Sequence, residues 1–231
     1  MSKGKKYNNN LSKFDLSKEY HLDEAVGILQ SFDKPNFDES VDISVNLGVD
    51  PKHADQLVRG TVSLPNGTGK KVKVVVVTKD DRKAKSAKDL GAVESGSDDV
   101  IAKINKGWVD FDVMIASPDM MAEVGKLGRV LGPRGLMPNP KVGTVTPDIE
   151  KAVEEVIAGK VEYRVDKAGI IAVGVGKISF EKQKIVENIK SCMGAILKAK
   201  PASVKGTYFK KFTLSSSMSP GLRIDKTEFI K

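Results

Sequence analysis

An α/β protein with one domain inserted into another is the fold that this sequence of 231 residues predicts. Residues 40–47 alternate strictly between polar and apolar, which is typical of a strand in a sheet with one open face. Residues 72–77 are nearly all valine, which indicates a strand covered on both faces. The open-sheet pattern returns after residue 160, so the doubly covered sheet lies between two parts of a one-sided sheet.

The first third of the chain predicts a helix followed by two strands. Apolar residues recur at helical spacing from Leu22 to Phe32, and strands are expected over 40–47 and 58–64. The segment Pro65-Asn66-Gly67-Thr68-Gly69 then breaks the pattern. It lacks the glycine and the hydroxyl that a phosphate-binding loop needs at positions 64 and 71, so we interpret it as a hinge.

The middle of the chain alternates strands with helices, which indicates a small parallel sheet in three layers. Strands are expected over 72–77 and 113–116. One helix is expected over 81–90, and a second runs from an N-cap at Ser97 to just before Gly107. A third follows Ser117-Pro118, and a fourth follows Thr146-Pro147-Asp148 and ends at Gly159.

The last third returns to a sheet with one open face. Strands over 161–165 and 170–175 flank a turn and are predicted to pair as a hairpin. A helix capped by Ser179 follows and contains Cys192, which we interpret as a core residue rather than a nucleophile. A last strand is expected to run to Ser217.

Composition excludes several classes of protein. Cys192 is the only cysteine and there are two histidines, so neither an intrachain disulfide nor a cysteine- or histidine-based metal centre is expected. No stretch is apolar over the length of a membrane span, and no apolar segment follows the basic start as it would in a secretory signal. No set of nucleophile, base and acid can be recognised. We therefore expect no catalytic residues, no cofactor and a cytoplasmic location.

Positive charge is concentrated in the last third of the chain. The net charge is +8 overall, −2 over residues 1–67, +1 over 68–159 and +9 over 160–231. A basic surplus placed so unevenly favours a nucleic acid as the partner. Because only 13 residues are aromatic, folded RNA is favoured over single strands that stack on aromatic side chains.

Residues 125–145 are rich in glycine and proline, with four cations among single apolar residues. A loop that displays backbone amides and cations together can bind a phosphate. The same composition is also typical of a structural crossover whose backbone is fixed by proline and glycine. The residues alone leave both alternatives open. The first would make the chain a phosphate-handling enzyme with Arg129, Arg134 and Lys141 around an anion.

The same stretch closely resembles the signature of the large-subunit ribosomal protein one family, and the match extends over nearly the whole chain. The signature residues here are Gly128, Arg129, Gly132, Pro133, Arg134, Gly135, Pro138, Asn139, Pro140 and Lys141. Other matching segments are Phe37-Asp38-Glu39-Ser40-Val41, Val58-Arg59-Gly60-Thr61, Arg164-Val165-Asp166-Lys167 and Gly176-Lys177. The resemblance implies a discontinuous split β-α-β domain over 1–67 and 160–231, with an open-faced sheet that binds RNA. It also implies an inserted, Rossmann-like three-layer domain over 68–159 without a nucleotide.

The resemblance further implies a structural, non-enzymatic role in the large ribosomal subunit. The discontinuous domain would bind rRNA in the mobile stalk near the exit site, and the protein would assist release of deacylated tRNA. It would also bind the leader of its own operon mRNA as a translational repressor, with no membrane or small-molecule partner. The implied rRNA contacts are Phe37, Ser40, Asp42, Lys167, Gly176, Lys177, Ser215, Ser216, Ser217, Met218 and Ser219. The chain departs from the family pattern at Ser219, where glycine is common, and at Ala172, where histidine is frequent.

Overall fold

The computed structural model describes residues 4–204 and 206–229, and the chain divides into two compact units. Unit 1 comprises residues 1–70 and 161–231, and unit 2 comprises residues 71–160. The boundaries expected from the sequence, after residue 67 and before residue 160, lie within three residues of these. In the described part of the chain, no helix is both long enough and apolar enough to cross a membrane.

Unit 1 is built on a four-stranded antiparallel sheet. Its strands follow the order β7 (Ile170–Lys177), β1 (Ser40–Leu47), β8 (Phe209–Ser216) and β9 (Leu222–Ile224). Helices α2 (Leu22–Gln30) and α8 (Lys182–Lys198) pack on the sheet, and α1 (Lys5–Leu11) precedes them in the chain. A separate two-stranded sheet joins β2 (Arg59–Ser63) to β6 (Lys160–Arg164).

The alternating sequence of β1 explains why one face of this sheet is open. Val41, Ile43, Val45 and Leu47 are buried against the helices, while the polar residues between them are half-buried on the other face. Side chains of successive residues in a strand point to opposite faces, so burying the apolar set displays the polar set. The predicted one-sided sheet is therefore confirmed.

The predicted hairpin between 161–165 and 170–175 is wrong. β6 pairs with β2 and β7 pairs with β1, so the intervening turn connects strands of two different sheets. The amide of Val165 donates to the carbonyl oxygen of Val58 at 2.9 Å, which continues the β2–β6 pairing. The strand pattern and the turn were visible in the sequence, but neither specifies which strand is the partner.

Unit 2 has three layers around a short parallel sheet in the order β4 (Glu94–Gly96), β3 (Val74–Val77) and β5 (Val113–Ala116). Val74 and Val76 face a layer formed by α3 (Asp81–Asp89) and α7 (Ile149–Ala158). Val75 and Val77 face α4 (Asp98–Asn105) and the short helices after β5. Because both faces are covered, four consecutive valines are buried, and the predicted fold class is confirmed.

Two predicted helix caps are corrected by the structure. Ser97 occupies the cap position of α4, but its side chain makes no capping hydrogen bond. Ser179 does not cap α8, which begins at Lys182 after Glu181. The Ser179 hydroxyl instead donates to the Asp38 carboxylate at 2.7 Å, because the residues before α8 fold onto the start of β1.

The helix predicted after Ser117-Pro118 is a series of short turns. A 3-10 turn leads into α5 (Met121–Val124), and a second 3-10 turn leads into α6 (Gly128–Leu131). Gly125 starts the second 3-10 turn and Gly128 starts α6, and glycine disfavours a continuous helix. The sequence prediction did not include α1, β4 or β9.

Candidate nucleic-acid interface

Most of the residues implied by the family resemblance lie together at one end of the four-stranded sheet. Ser40, the first residue of β1, lies opposite Lys177 at the end of β7. The next residue, Val41, lies opposite Ser216 at the end of β8. Because β7 and β8 both run antiparallel to β1, their last residues meet its first residues, although the three segments are far apart in the sequence.

Serine hydroxyls fix the turn that follows β8. The Ser217 amide donates to the Ser40 carbonyl oxygen at 3.2 Å, and the Ser40 amide donates to the Ser217 Oγ at 3.2 Å. The Ser219 Oγ accepts from the Ser216 amide at 2.8 Å and donates to the Pro220 carbonyl oxygen at 3.1 Å. The side chain that Ser219 adds to the family pattern is therefore used within the turn.

Lys177 is held in place by the start of β1. Its Nζ donates to the Ser40 Oγ at 2.9 Å and to the Asp38 carbonyl oxygen at 3.4 Å. An ammonium has three donors, so one remains for an external acceptor. Burial raises the pKa of Asp42 on the open face, and the nearby positive charge of Lys177 opposes that shift.

Glu39 is a site residue that the sequence reasoning did not single out, although it belongs to the segment that matches the family. It is only 4% exposed, and its Oε1 accepts the Met218 amide at 2.8 Å. Its backbone carbonyl oxygen accepts the Ile178 amide at 2.9 Å. Glu39 thus ties the start of β1 to the turn after β8 and to the segment after β7.

Two large apolar side chains are displayed at this end of the sheet. Met218 is 63% exposed and Phe37 is 54% exposed, the two highest values among large apolar residues of the described chain. Met218 lies on the turn that Glu39 and the serines fix, and Phe37 lies just before Asp38. Apolar side chains held outward in this way are suited to contact a partner.

Three of the predicted contact residues have a different placement or role. Ser216 is buried, with only 6% exposure. Lys167 precedes β7 at its other end, near the end of β1, where the Leu47 amide donates to the Gly169 carbonyl oxygen. The eight residues of β7 span about 23 Å at roughly 3.3 Å per residue, so Lys167 lies far from the residues gathered at the start of β1. Gly176 lies near the end of β7, opposite the start of β1, but it is buried, and a Cβ there would lie 3.1 Å from the Phe180 ring.

The comparison with known proteins identifies the family of the chain. Residues 29–220 match the ribosomal protein L1p/L10e family. The chain belongs to this family. It is 52% identical over 227 residues to the large ribosomal subunit protein uL1 of Chlamydia caviae, covering 98% of this chain and 97% of that protein. The resemblance inferred from the sequence is confirmed, and membership in this family of structural ribosomal proteins means that the chain is not an enzyme.

The L1p/L10e signature in unit 2 has a structural explanation at several positions. A Cβ at Gly132 would lie 2.6 Å from the Gly128 carbonyl oxygen, and Gly135 has a φ of +71°, so both positions favour glycine. Pro138 is buried, and the Asn139 amide donates to the Thr144 Oγ1 at 2.7 Å. Gly128 starts α6, and Arg129, Pro133, Arg134 and Pro140 are exposed. The side chain of Lys141 lies outside the described part of the structure.

The described residues do not form the anion site that the phosphate-handling alternative requires. A crevice of about 400 Å³ lies at the ends of β3 and β5, but the residues that line it do not include Arg129 or Arg134. No three His, Cys, Asp or Glu side chains of the described chain lie close enough to hold a metal ion. Burial raises the pKa of the Cys192 thiol to about 12, so this residue is a core group, as the helix pattern predicted.

Proposed function

We propose that this chain, in the cytoplasm, binds rRNA of the large ribosomal subunit through the end of the four-stranded sheet in unit 1. We call this surface the contact cluster; it comprises Phe37, Ser40, Asp42, Gly176, Lys177 and Ser215 to Ser219. The observation that carries the proposal is the display of Met218 on a turn that Glu39 and Ser40 hold in place. A surface fixed before binding loses little conformational entropy when it meets a folded RNA.

The chemistry of the contact cluster fits a sugar–phosphate backbone. Serine hydroxyls both donate and accept, so they match the 2′-hydroxyl, and Lys177 keeps a donor for phosphate. Met218 and Phe37 offer apolar surface to sugar or base faces. The net charge of +9 over residues 160–231 adds long-range attraction to an RNA.

The test is to compare the rRNA affinity of Met218→Asp with that of a matched control variant. Leu57 is an apolar residue of the same unit with 47% exposure, so Leu57→Asp adds the same charge elsewhere. We expect Met218→Asp to weaken binding to a large-subunit rRNA fragment at least tenfold, about 1.4 kcal/mol, and Leu57→Asp to stay within about threefold. Equal weakening by both variants would mean that only net charge matters and would contradict the proposal.

We further propose that unit 2 supplies the reach toward exit-site tRNA and so assists its release. Unit 1 has a hydrophobic core of its own, and unit 2 is nearly neutral at about +1 over residues 68–159. Replacing residues 70–158 by a short Gly/Ser linker should leave most of the rRNA affinity and abolish the effect on tRNA release. A folded linker variant that binds rRNA more than about 100-fold weaker, roughly 2.7 kcal/mol, would move the rRNA surface into unit 2.

A second proposed role is repression of translation from the chain's own operon mRNA. A leader that presents the same backbone shape as the rRNA site would meet the same hydroxyls and the same Met218. The rRNA fragment should then displace a bound leader competitively, and Met218→Asp should weaken both complexes by a similar factor. A leader that binds Met218→Asp as tightly as the unchanged protein would assign repression to another surface.

A further inference from the structure

A pocket beside Met218 is formed by α1, an element for which neither the sequence nor the family resemblance gave a role. The pocket has a volume of about 270 Å³ and is lined by Gly4, Lys6, Tyr7, Asn10, Asp33, Pro35 and Met218. Residues 6, 7 and 10 share one side of α1, because residues four apart lie on the same helix face. The pocket, which we call the α1 pocket, adjoins the contact cluster through Met218.

Hydrogen bonds hold α1 in place against the segment before Phe37. The Asn10 Oδ1 accepts the Asp33 amide at 2.7 Å, and its Nδ2 donates to the Asp33 carbonyl oxygen at 3.3 Å. The Nζ of Lys6 donates to the Lys34 carbonyl oxygen at 2.9 Å. A helix of seven residues is too short to be stable alone, so these long-range bonds maintain the pocket wall.

The α1 region carries positive charge that the contact cluster lacks. The cluster has one ammonium, that of Lys177, and the carboxylate of Asp42 lies near enough to feel its charge. Lys5 and Lys6 lie on α1, and Lys34 lies in the segment to which α1 is bonded. The phosphates of an RNA that contacts Met218 would therefore be neutralised by lysines on the α1 side of the pocket.

We propose that the α1 pocket receives one base that is unstacked from the bound rRNA. The inference rests on the proposed function, because it assigns one nucleotide of that RNA to a named site. Tyr7, Pro35 and Met218 supply the apolar surface on which the face of a base can lie. Lys6 lies beside that surface, where the phosphate of the same nucleotide would be neutralised. An apolar protein side chain would use the same walls but would gain nothing from the lysines.

The experiment uses the full-length chain and a large-subunit rRNA fragment that contains the stalk site. Tyr7→Ala should weaken binding about tenfold, about 1.4 kcal/mol, because the base loses its apolar platform. Tyr7→Phe keeps the ring and should restore affinity to within about twofold. Leu16→Ala, a truncation at a site that is 51% exposed in the same N-terminal region, is the matched control and should have no more than a twofold effect.

Abasic substitution along the RNA identifies the base. At one position, removal of the base should weaken the unchanged protein about tenfold and Tyr7→Ala by less than twofold, because both changes remove the same contact. If no position shows this coupling, or if Tyr7→Ala binds normally, the base pocket is overturned while the rRNA surface stands. If the unchanged protein does not bind the fragment, the proposed function itself fails.

Discussion

Glu39→Ala is the substitution that most directly tests how the contact cluster is built. Glu39 is buried, and its carboxylate accepts the Met218 amide at 2.8 Å. The substitution removes this acceptor and leaves the Met218 side chain unchanged. Glu39→Gln removes the same negative charge but retains a carbonyl oxygen that can accept the same hydrogen bond.

The size of the effect follows from that hydrogen bond. A bond to a charged group contributes about 1.5–3 kcal/mol, and a neutral one about 0.5–1.5 kcal/mol. Glu39→Ala should therefore destabilise the closed turn by about 2 kcal/mol, which is roughly a 30-fold change in its opening equilibrium. Glu39→Gln should lose about 1 kcal/mol or less. Coulomb attraction alone predicts instead that both variants bind equally and more tightly than the unchanged protein, since each loses a carboxylate that repels an approaching phosphate.

Two measurements separate these expectations. Hydrogen exchange of the Met218 amide reports opening of the turn and should be clearly faster in Glu39→Ala than in Glu39→Gln. Binding to the rRNA fragment at fixed salt should be weaker for Glu39→Ala by about tenfold or more, and nearly normal for Glu39→Gln. Glu19→Ala, at an exposed glutamate of the same unit, controls for the loss of one negative charge.

Equal affinities of Glu39→Ala and Glu39→Gln would refute this reasoning, because both variants lose the charge and Glu39→Gln retains an acceptor for the Met218 amide. A double-mutant cycle with Met218→Ala gives a second criterion. If Glu39 acts by positioning Met218, the two losses must be strongly non-additive. Additive losses would mean that Glu39 affects RNA binding by a route that does not include Met218.

Three further predictions concern unit 1. Lys177→Ala should reduce the slope of log K against log salt by about 1, since the remaining donor of its ammonium serves one phosphate. Asn188→Ala should lower the free energy of unfolding in urea by about 3 kcal/mol, because this fully buried amide makes three hydrogen bonds of about 1 kcal/mol each. The control Lys190→Ala, at an exposed position, should lower it by less than about 0.5 kcal/mol. The hydrogen bond and charge of Glu228 raise the pKa of His21, so its stabilising contribution is fully present below about pH 6.5 and disappears as pH rises through the raised pKa. His21→Gln should therefore lower the Tm at about pH 5.5 and leave it unchanged at about pH 9.

The sequence predicted those elements whose residues carry their own structural signal. The alternation in β1 and the valine run in β3 specify one covered face and two covered faces, and both patterns are matched by burial. The left-handed φ of +110° at Gly159 likewise ends α7 where the sequence placed its end. In each case the information lies within a few consecutive residues.

The features that the sequence did not predict depend on distant partners. α1 is polar and short, and its hydrogen bonds reach residues more than twenty positions away. The strand partner of β6 is β2, about one hundred residues earlier, while the local turn favoured a hairpin with β7. Lys167 and Lys177 belong to neighbouring family motifs, yet the length of β7 separates them. Motif matching names residues, but only the fold decides which of them can touch one ligand.

The placement of charge within unit 1 favours a division between recognition and attraction. In the contact cluster, carboxylates and serine hydroxyls fix backbone geometry, and a single ammonium lies among them. Many other lysines of the basic segment are exposed along α8 and at the start of β8, which is the end of that strand opposite the turn that carries Met218. Exposed charges attract any RNA and are screened by salt, whereas a fixed turn recognises one shape. Raising the salt concentration should therefore reduce the affinity for specific and nonspecific RNA alike, while the ratio between the two depends on Met218, Glu39 and the serines that hold them.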